Sequence, residues 1–315
     1  MIVLDRDYVT RHLPAKECAA LMEDVLRREA AGEITQYLRT AIKMPNDGIL
    51  GLMPGYDAGG YFGVKVLSVY HDNALAGYPS HQGEIILFEK AHGSVLAVVD
   101  AMSVTQIRTG AVSAVASKAL ARPDSRALCV LGCGAQGHSH LRALATAFDF
   151  ESFTCWDVRP EAAEGLAAEA RALGMNAVVC ADVESAVRGA DIVCTVTPSK
   201  TPILKYEWLK PGAHVNAVGA CAPADRELDS DTAANARFYG DNVESVMHES
   251  GDFLIPMKEG RFSADHLLGT VGDVLLGRAE GRRSDSDITV FEALGMAVED
   301  LACAVRLYET FNKNS

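Results

Sequence analysis

The pattern of hydrophobic and polar positions changes near the middle of the chain. Between residues 36 and 99, apolar residues alternate with polar ones, and glycine, proline, asparagine and aspartate separate the segments. Such period-two alternation with β-branched residues predicts antiparallel strands. From residue 126 onwards, short continuous apolar runs alternate with alanine- and glutamate-rich segments. This second pattern is typical of a doubly wound parallel sheet, so the sequence predicts an α/β protein with a smaller α+β part.

The stretch Arg126–Arg159 contains a glycine motif in a specific setting. An apolar run leads into Gly132-x-Gly134-x-x-Gly137, an amphipathic segment follows, and a second apolar run ends at Asp157. A glycine turn between a strand and a helix lets backbone N–H groups face a pyrophosphate. An acid about twenty residues further on can accept the ribose hydroxyls of an adenosine. The stretch therefore predicts a Rossmann-type domain that binds a dinucleotide.

Two long helical segments organise the rest of the chain. One begins at Ser103, is rich in small residues and is stopped by Pro123. The other is a final apolar helix expected from Phe291 to Tyr308. We predict a substrate-binding and dimerisation domain at 1–118 with 298–315, and an NAD-binding domain at 119–297.

Composition narrows the possible partners. The formal charge is 29 − 42 = −13 over 315 residues, which disfavours nucleic acid and anionic membrane surfaces. No apolar run approaches the ~20 residues of a membrane span, and the start of the chain does not resemble a signal peptide. The eight cysteines show no metal-ligand spacing. We therefore expect a cytoplasmic protein without a bound metal.

Three cationic residues lie among apolar or small neighbours. Lys65 lies in YFGVKVLSVY, Arg108 in a helix of small residues, and Arg39 in the strand-like QYLRTAIK. A buried cation is costly unless a ligand or partner neutralises it, so each is a candidate for binding an anion. The alternative is a solvated strand or helix face. For Arg39 that alternative is favoured, and for Lys65 and Arg108 the residues alone leave both interpretations open.

Several motifs resemble one known family. These motifs are Gly51-Leu52-Met53-Pro54, Lys65, Pro79-Ser80-His81-Gln82, Leu87-Phe88-Glu89, Arg108-Thr109-Gly110-Ala111-Val112-Ser113-Ala114, the segment from Leu209 to Ala220, Glu249-Ser250-Gly251-Asp252 and the segment from Leu294 to Asp300. Together with the glycine loop, they identify the chain as a member of the ornithine cyclodeaminase/mu-crystallin family.

The resemblance implies a homodimer and a set of site residues. Arg108 would hold the substrate α-carboxylate through a charge-assisted fork, and Lys65 would lie near the carboxylate or the reacting nitrogen. Both are the expected catalytic residues, and Arg39 and His81 are further candidates for substrate binding. The cofactor contacts are expected to be Gly132, Gly134, Ala135, Gln136, Gly137, Asp157, Thr109, Val218, Gly219 and Cys221.

Two departures from the family pattern bear on the reaction. Cyclodeaminases carry a glutamate where this chain has Gly51 and an aspartate where it has Cys221. Cysteine is a poor substitute for a carboxylate, because its ordinary pKa is near ~8.5 rather than ~3.9. These departures disfavour cyclodeamination and leave hydride transfer as the expected chemistry. We expect Cys221 to be a small filler beside the cofactor rather than a nucleophile.

Asp157 indicates the cofactor. In the mu-crystallin branch of the family the matching segment resembles Trp-Asn-Arg, with an arginine suited to a 2′-phosphate. Here a carboxylate stands in the same place and would repel that phosphate, although Arg159 is close by in sequence. The sequence therefore predicts NAD(H) rather than NADP(H).

The resulting hypothesis is an NAD(H)-dependent reduction of a small α-imino acid to an L-amino acid. Iminosuccinate reductase and ketimine reductase are both open, and the diacid is attractive because Arg39, Lys43 and His81 could contact a second carboxylate. An alanine dehydrogenase-type activity is the main alternative. A cyclodeaminase and a non-catalytic binder are disfavoured, the latter because Lys65, Arg108 and the glycine loop are all retained.

Overall fold

The computed structural model describes residues 1–314, which form two compact units. The first unit contains residues 1–108 together with the chain from Gly295 onwards, and the second contains Thr109–Leu294. The predicted domain boundaries, 1–118 with 298–315 and 119–297, lie near this division. Which unit binds which ligand stays a prediction.

The elements follow one another in the order that the two hydrophobic patterns indicate. The strands are β1 (Ile2–Leu4), β2 (Ile34–Gln36), β3 (Thr40–Lys43), β4 (Ile49–Asp57), β5 (Tyr61–Val69), β6 (His81–Glu89), β7 (Val95–Asp100), β8 (Ala127–Leu131), β9 (Ser152–Trp156), β10 (Asn176–Val179), β11 (Ile192–Thr195), β12 (His214–Ala217), β13 (Arg237–Gly240), β14 (Leu267–Thr270) and β15 (Thr289–Glu292). The α-helices are α1 (Arg6–His12), α2 (Ala15–Ala30), α3 (Ala101–Leu120), α4 (Ala135–Leu144), α5 (Pro160–Ala172), α6 (Val183–Val187), α7 (Ser230–Asn235), α8 (Val243–Glu249), α9 (Gly251–Lys258), α10 (Val271–Leu275) and α11 (Ala297–Asn314).

The first unit is built on a sheet with the order β1-β7-β6-β5-β4-β2, in which β3 also pairs with β4. Its strands are antiparallel except for β1 and β7, which run parallel. Helix α11 packs on one face of this sheet. It comes close because Gly63 lacks a side chain: a Cβ there would lie 3.0 Å from Leu301 Cδ1. The predicted smaller α+β part is thereby confirmed.

The second unit contains a parallel sheet with the order β10-β9-β8-β11-β12-β15-β13-β14. The side chains of β8 alternate between two buried cores, with Leu128 and Val130 in one and Cys129 and Leu131 in the other. The chain runs outwards from β8 to β9 and β10, and then returns to β11 on the other side. Ligands of such sheets bind at this switch point, outside the carboxyl ends of the strands. The predicted doubly wound fold is confirmed.

The start of one predicted helix is wrong. The sequence predicts a final helix from Phe291, but Phe291 lies in β15 and α11 begins at Ala297. The apolar run around Phe291 is fully buried, and such a run cannot be told from a buried helix by its pattern. Gly295, with φ of +84°, separates the strand from the helix.

The remaining helices agree better with the sequence. Helix α3 forms as expected from its small residues and ends before Pro123, and the division between the two units falls within it. In the part of the chain from residue 1 to 314, no helix is both long and apolar enough to cross a membrane.

Candidate active site

The glycine loop after β8 can only be formed by glycine at two positions. Gly132 has φ of +98°, and a Cβ there would lie 2.8 Å from the carbonyl oxygen of Val196. A Cβ on Gly137 would lie 2.4 Å from the carbonyl oxygen of Gly132. The turn therefore brings the start of α4 against the carboxyl ends of β8 and β11, which is the switch point of the sheet.

The space in front of α4 suits a phosphate group. Gly134 precedes the helix without a side-chain cap, and a Cβ on it would meet nothing within 4 Å. Ala135 and Gln136 begin the helix, so their N–H groups belong to its N-terminal turn, where partial positive charge gathers. The predicted contacts of Gly134, Ala135 and Gln136 with a pyrophosphate therefore fit this geometry.

Asp157 follows β9 directly and is held by backbone groups. Its Oδ2 accepts a hydrogen bond from the Cys133 N–H at 2.7 Å, and its Oδ1 accepts one from the Arg159 N–H at 2.8 Å. Burial works to raise the pKa of Asp157, but these hydrogen bonds outweigh it and hold the pKa below its ordinary value. The carboxylate therefore stays charged, which suits ribose hydroxyls and repels a 2′-phosphate.

The loop after β12 is anchored by a buried acid that the sequence did not reveal. The N–H of Gly219 donates to Glu227 Oε2 at 2.8 Å, and the N–H and Oγ1 of Thr197 donate to Glu227 Oε1. A Cβ on Gly219 would lie 2.0 Å from the Thr197 carbonyl oxygen. Glu227 thus ties together the loops after β11 and β12. Nothing in the residues Arg-Glu-Leu distinguishes it from a surface glutamate.

The other expected cofactor residues lie in the same unit. Val218 donates its N–H to the Thr195 carbonyl oxygen at 3.0 Å, which continues the pairing of β12 with β11. Cys221 is half-buried, and its Sγ donates to the Val218 carbonyl oxygen at 3.4 Å. Thr109 is buried at the start of the second unit. Their contacts with a cofactor stay predictions.

Lys65 is buried and paired with a carboxylate. It lies in β5 between Met53 of β4 and Ile85 of β6, and its side chain is 3% exposed. Its Nζ lies 2.5 Å from Asp300 Oδ2 and donates to Thr105 Oγ1 at 3.4 Å. Burial lowers the pKa of Lys65 below its ordinary value, although Asp300 opposes this effect. The structure therefore decides between the two interpretations: Lys65 is not on a solvated strand face.

Arg108 is held by two acids of α11. Its Nε donates to Asp300 Oδ1 at 3.1 Å, and its Nη1 donates to Glu299 Oε2 at 2.9 Å. Burial works to lower the pKa of Arg108, but Asp300 and Glu299 outweigh it and hold the pKa above its ordinary value. Two of the three guanidinium nitrogens thus contact the protein itself. A fork onto a substrate carboxylate, as the resemblance implies, stays a prediction.

Arg39 belongs to the same cluster, although it lies in a loop between β2 and β3 and not in the expected strand. Its Nη2 donates to the Gly295 carbonyl oxygen at 3.2 Å. A Cβ on Gly295 would lie 2.8 Å from Arg108 Nη2, so Gly295 is next to both arginines. The charges of Arg39 and Arg108 both contribute to the lowered pKa of Lys65.

His81 does not join this cluster. It is exposed at the first position of β6, and its Nδ1 pairs with Ser80 Oγ at 2.9 Å. Ile85, which pairs with Lys65, lies four residues further along the strand. At ~3.3 Å per residue this separates the two positions by about 13 Å. The role of His81 in substrate binding stays a prediction.

Comparison with known proteins identifies the family. The sequence profile of the ornithine cyclodeaminase/mu-crystallin family matches residues 1–315. The chain belongs to this family. Ketimine reductase mu-crystallin of Mus musculus is 38% identical over 89% of this chain and 87% of its own length.

Solved structures of the family share the fold over the whole chain. Thermococcus litoralis Δ1-pyrroline-2-carboxylate reductase, in complex with NADH and L-proline, superposes with a TM-score of 0.96 at 32% identity, covering 100% of this chain and 98% of that one. An archaeal alanine dehydrogenase dimer with bound NAD gives a TM-score of 0.94 at 32% identity, covering 99% of this chain and 97% of that one.

Within the family pattern, the position of Gly51 is informative. Gly51 lies in β4 on the same face as Met53, the neighbour of Lys65. A Cβ there would lie 3.2 Å from Leu67 Cγ, so a glutamate, as the cyclodeaminases carry, would require Leu67 to shift. The chain therefore offers no carboxylate at position 51 or 221.

Glu299 and Asp300 are acids of the candidate site whose contacts the sequence did not reveal. Both are fully buried and both contact the predicted catalytic cations. Acids are common in the first turn of any helix because the helix dipole stabilises them there. The position of Glu299 and Asp300 in the sequence therefore did not distinguish them from ordinary acids at a helix start. The only signal was their place at the end of the segment from Leu294 to Asp300.

Proposed function

We propose that this protein catalyses the NAD(H)-dependent reduction of a small α-imino acid to the corresponding L-amino acid. The observation that carries the proposal is the buried group of Lys65, Arg108 and Asp300, in a chain that has no carboxylate at positions 51 and 221. These cations suit a carboxylate-bearing substrate. The two acids that the cyclodeaminase pattern carries are missing, which disfavours ammonia loss and ring closure.

The expected enzyme class, an NAD-dependent oxidoreductase, is confirmed by the reductases and dehydrogenases among its relatives. Within this class we assign NADH rather than NADPH to the chain. The charged carboxylate of Asp157 supports this choice, as do the NADH and NAD found in the related structures. When bound, NADH supplies a hydride to the imine carbon, and the electron pair of the C=N bond moves to the nitrogen.

The residues of the first unit have two tasks in this reaction. Arg108, held in one orientation by Glu299 and Asp300, offers its remaining N–H groups to the substrate carboxylate. Lys65 adds a second cationic contact, and its lowered pKa suits it to hold or release a proton near the substrate nitrogen. An imine that enters already protonated needs only to be positioned.

Three other functions are known for chains of this pattern: amino-acid dehydrogenation, cyclodeamination and ligand binding without catalysis. An alanine dehydrogenase-type reaction uses the same hydride step with hydrolysis of the imine in the oxidative direction, so it remains the second candidate, and the related archaeal dimer favours it. Cyclodeamination is disfavoured by Gly51 and Cys221. A purely binding role is disfavoured because Lys65, Arg108 and the full glycine loop are all retained.

We also propose a homodimer that associates through the sheet of the first unit. The face of this sheet opposite α11 presents Leu52, Val64 and Ile86, which lie on neighbouring strands and are only partly buried. Contiguous apolar surface of this kind commonly marks an interface. The dimeric state of the related alanine dehydrogenase supports the same assembly, and light scattering on the purified protein measures it.

A cytoplasmic location is part of the proposal. All eight cysteines are free in the structure, as expected of a protein from a reducing compartment. Fractionation of cells that express the protein at its natural level tests the location.

The proposed reaction is tested by following NADH oxidation with a panel of cyclic and acyclic α-imino acids. We expect turnover with at least one of them, and loss of turnover in Arg108→Met while NADH binding remains. Arg306→Met is the matched control, because Arg306 lies half-exposed on α11 and pairs with Glu17 rather than with Asp300 or Glu299. A protein that binds NADH but reduces no member of the panel would contradict the proposal.

A further inference from the structure

In the parallel sheet of the second unit, the two halves of NAD belong on opposite sides of β8. Asp157, which suits the adenosine ribose, follows β9, and the start of α4, which suits the pyrophosphate, follows β8. On the other side of β8 lie β11 and then β12. A dinucleotide that crosses the switch point therefore extends its nicotinamide half towards the carboxyl ends of these two strands. The loops that leave β11 and β12 belong to the nicotinamide half of the site.

These two loops touch each other and share one buried carboxylate. A Cβ on Gly219 would lie 2.0 Å from the Thr197 carbonyl oxygen, and a Cβ on Gly132 would lie 2.8 Å from Thr197 Cγ2. Glu227 Oε1 accepts hydrogen bonds from the N–H and the hydroxyl of Thr197 at 2.7 and 2.6 Å, and Oε2 accepts one from the Gly219 N–H at 2.8 Å. The loops after β8, β11 and β12 thus meet where Glu227 holds two of them.

The backbone of Glu227 is itself fixed on both sides. Its N–H donates to Asp252 Oδ1 at 2.9 Å. Its carbonyl oxygen accepts hydrogen bonds from the N–H groups of Ile203 and Leu204 at 2.7 and 3.0 Å. The residue is fully buried, so water does not compete for its oxygens. The carboxylate therefore presents its two oxygens to the loops in one orientation, as expected of a group that supports a site from behind.

We infer that Glu227 is a positioning residue, which holds the loops after β11 and β12 in the arrangement that places the nicotinamide for hydride transfer. The inference rests on the proposed reaction and adds to it a residue that acts through these loops. A displacement of about 1 Å at a reacting centre can cost a large part of the rate. A buried acid that only stabilised the fold would have no selective effect on the nicotinamide half.

Glu227→Gln is the variant that tests this role. Glutamine has the same size as glutamate, but it has one acceptor oxygen in place of two. If the amide oxygen keeps the two donors of Thr197, the amide nitrogen faces the Gly219 N–H, and two donors cannot pair. The change therefore releases the loop after β12, while the packing around the side chain is retained.

Asp191→Asn is the matched control, because Asp191 lies at the opposite edge of the same sheet. Asp191 is buried, and its Oδ2 accepts hydrogen bonds from the N–H groups of Arg126 and Ala127 at 2.8 and 2.9 Å. These groups lie at the amino ends of β8 and β11. Like Glu227, Asp191 thus joins neighbouring parts of the sheet through backbone N–H groups. Both changes are expected to lower stability, but only Glu227→Gln should disturb the nicotinamide half.

The experiment compares the binding of NADH with that of ADP-ribose, which has the adenosine and the pyrophosphate but no nicotinamide. In Glu227→Gln, the ratio of the Kd for NADH to the Kd for ADP-ribose is expected to rise at least about threefold above the wild-type ratio. With saturating NADH, kcat for imine reduction is expected to fall about tenfold or more. Asp191→Asn should leave the Kd ratio and kcat within about twofold of wild type, because its site is remote.

The two measurements separate the inference from the proposed function. An unchanged Kd ratio or an unchanged kcat in folded Glu227→Gln overturns the inference, as does an equal rise of the ratio in Asp191→Asn, and the proposed reaction then still stands. The Kd ratio needs no imino acid, so it decides whether Glu227 positions the nicotinamide even if the wild-type protein reduces no imine, a result that contradicts the proposed reaction alone.

Should Glu227→Gln not fold, Glu227→Asp takes its place. Aspartate keeps both acceptor oxygens and so avoids the clash of two donors, but it is shorter by one methylene and cannot reach both loops at once. A rise of the Kd ratio in Glu227→Asp supports the positioning role, and an unchanged ratio overturns it.

Discussion

Two groups of buried acids in this protein have opposite chemistry. In the first unit, Glu299 and Asp300 face cations, and Lys65 and Arg108 hold the pKa of Asp300 below its ordinary value against the effect of burial. In the second unit, Asp252 accepts hydrogen bonds from the backbone N–H groups of residues 227 and 228, and its charged neighbours are mainly other acids.

The consequence for the second group is a raised pKa. Burial, followed by the charge of Glu227, raises the pKa of Asp252 to about 8. Burial and the charge of Asp252 also raise the pKa of Glu292, although Ser250 Oγ donates to it at 2.6 Å. Equal burial therefore does not decide the charge of an acid. Its neighbours do: Asp300 faces cations and has a lowered pKa, whereas Asp252 and Glu292 face other acids and have raised pKa values.

The comparison is tested most severely by a matched pair of variants. Asp300→Asn leaves Lys65 and Arg108 without their shared counter-charge, so we expect the free energy of unfolding to fall by about 3 kcal/mol and imine reduction to be lost. Asp252→Asn should cost less than about 1 kcal/mol, because the amide oxygen can accept the same two hydrogen bonds. Denaturant unfolding of both variants measures this difference. Equal losses of unfolding free energy would contradict the contrast between the two groups of buried acids.

The pH dependence of stability gives a second test. Because the pKa of Asp252 is higher in the folded protein than its ordinary value of 3.8, the folded state keeps a proton that the unfolded state has released. The free energy of unfolding should therefore decrease as pH rises from the ordinary carboxyl range to about 8, and this contribution is then fully lost. Asp252→Asn should flatten the profile over that range. An identical profile in wild type and variant would contradict a protonated Asp252.

Asp157 extends the comparison to a third situation. Asp157, like Asp252, is held by N–H donors. At Asp157, however, the effect of these donors on the pKa outweighs that of burial, so the pKa is lowered and the carboxylate is charged. Asp157→Asn keeps an acceptor for the Cys133 N–H and removes the charge, so we expect the ratio of kcat/KM for NADPH to that for NADH to rise about tenfold, or ~1.4 kcal/mol. Steady-state kinetics with both cofactors measure the ratio, and an unchanged ratio would remove Asp157 as the source of the preference.

The smallest effect is expected at Cys221, where cyclodeaminases carry an acid and this chain carries a thiol. If Cys221 only fills space beside the cofactor, Cys221→Ser should leave kcat within about twofold, since serine is similar in size and its hydroxyl can donate to the Val218 carbonyl oxygen as the thiol does. A loss of about a hundredfold or more would instead make the thiol part of the chemistry.

The sequence predicted features that depend on neighbouring residues in the chain. The turn at Gly132, the acid at Asp157 and the parallel sheet each follow from a local pattern of strand, glycine and helix. Even there, the pattern predicts a helix where the strand containing Phe291 lies, because a short buried apolar run has the same composition in both.

Features that depend on distant residues could not be predicted. Lys65 and Arg108 were identified as candidates, but nothing in their surroundings showed that Asp300 lies between them. The anchor at Glu227 was missed for the same reason. Such pairs are set by the sheet register and by where α11 lies on it, and a single sequence contains no direct signal of either.

The most direct test of the account is the fate of the hydride. The wild-type protein is incubated with NADH deuterated at C4 on both faces and with a small α-imino acid, and the product is analysed by mass spectrometry. We expect a single deuterium at the α-carbon of the L-amino acid, formed in step with NADH oxidation and absent in Arg108→Met. Amino acid formed without deuterium at that carbon, or NADH oxidised without amino acid, would contradict the proposed reduction.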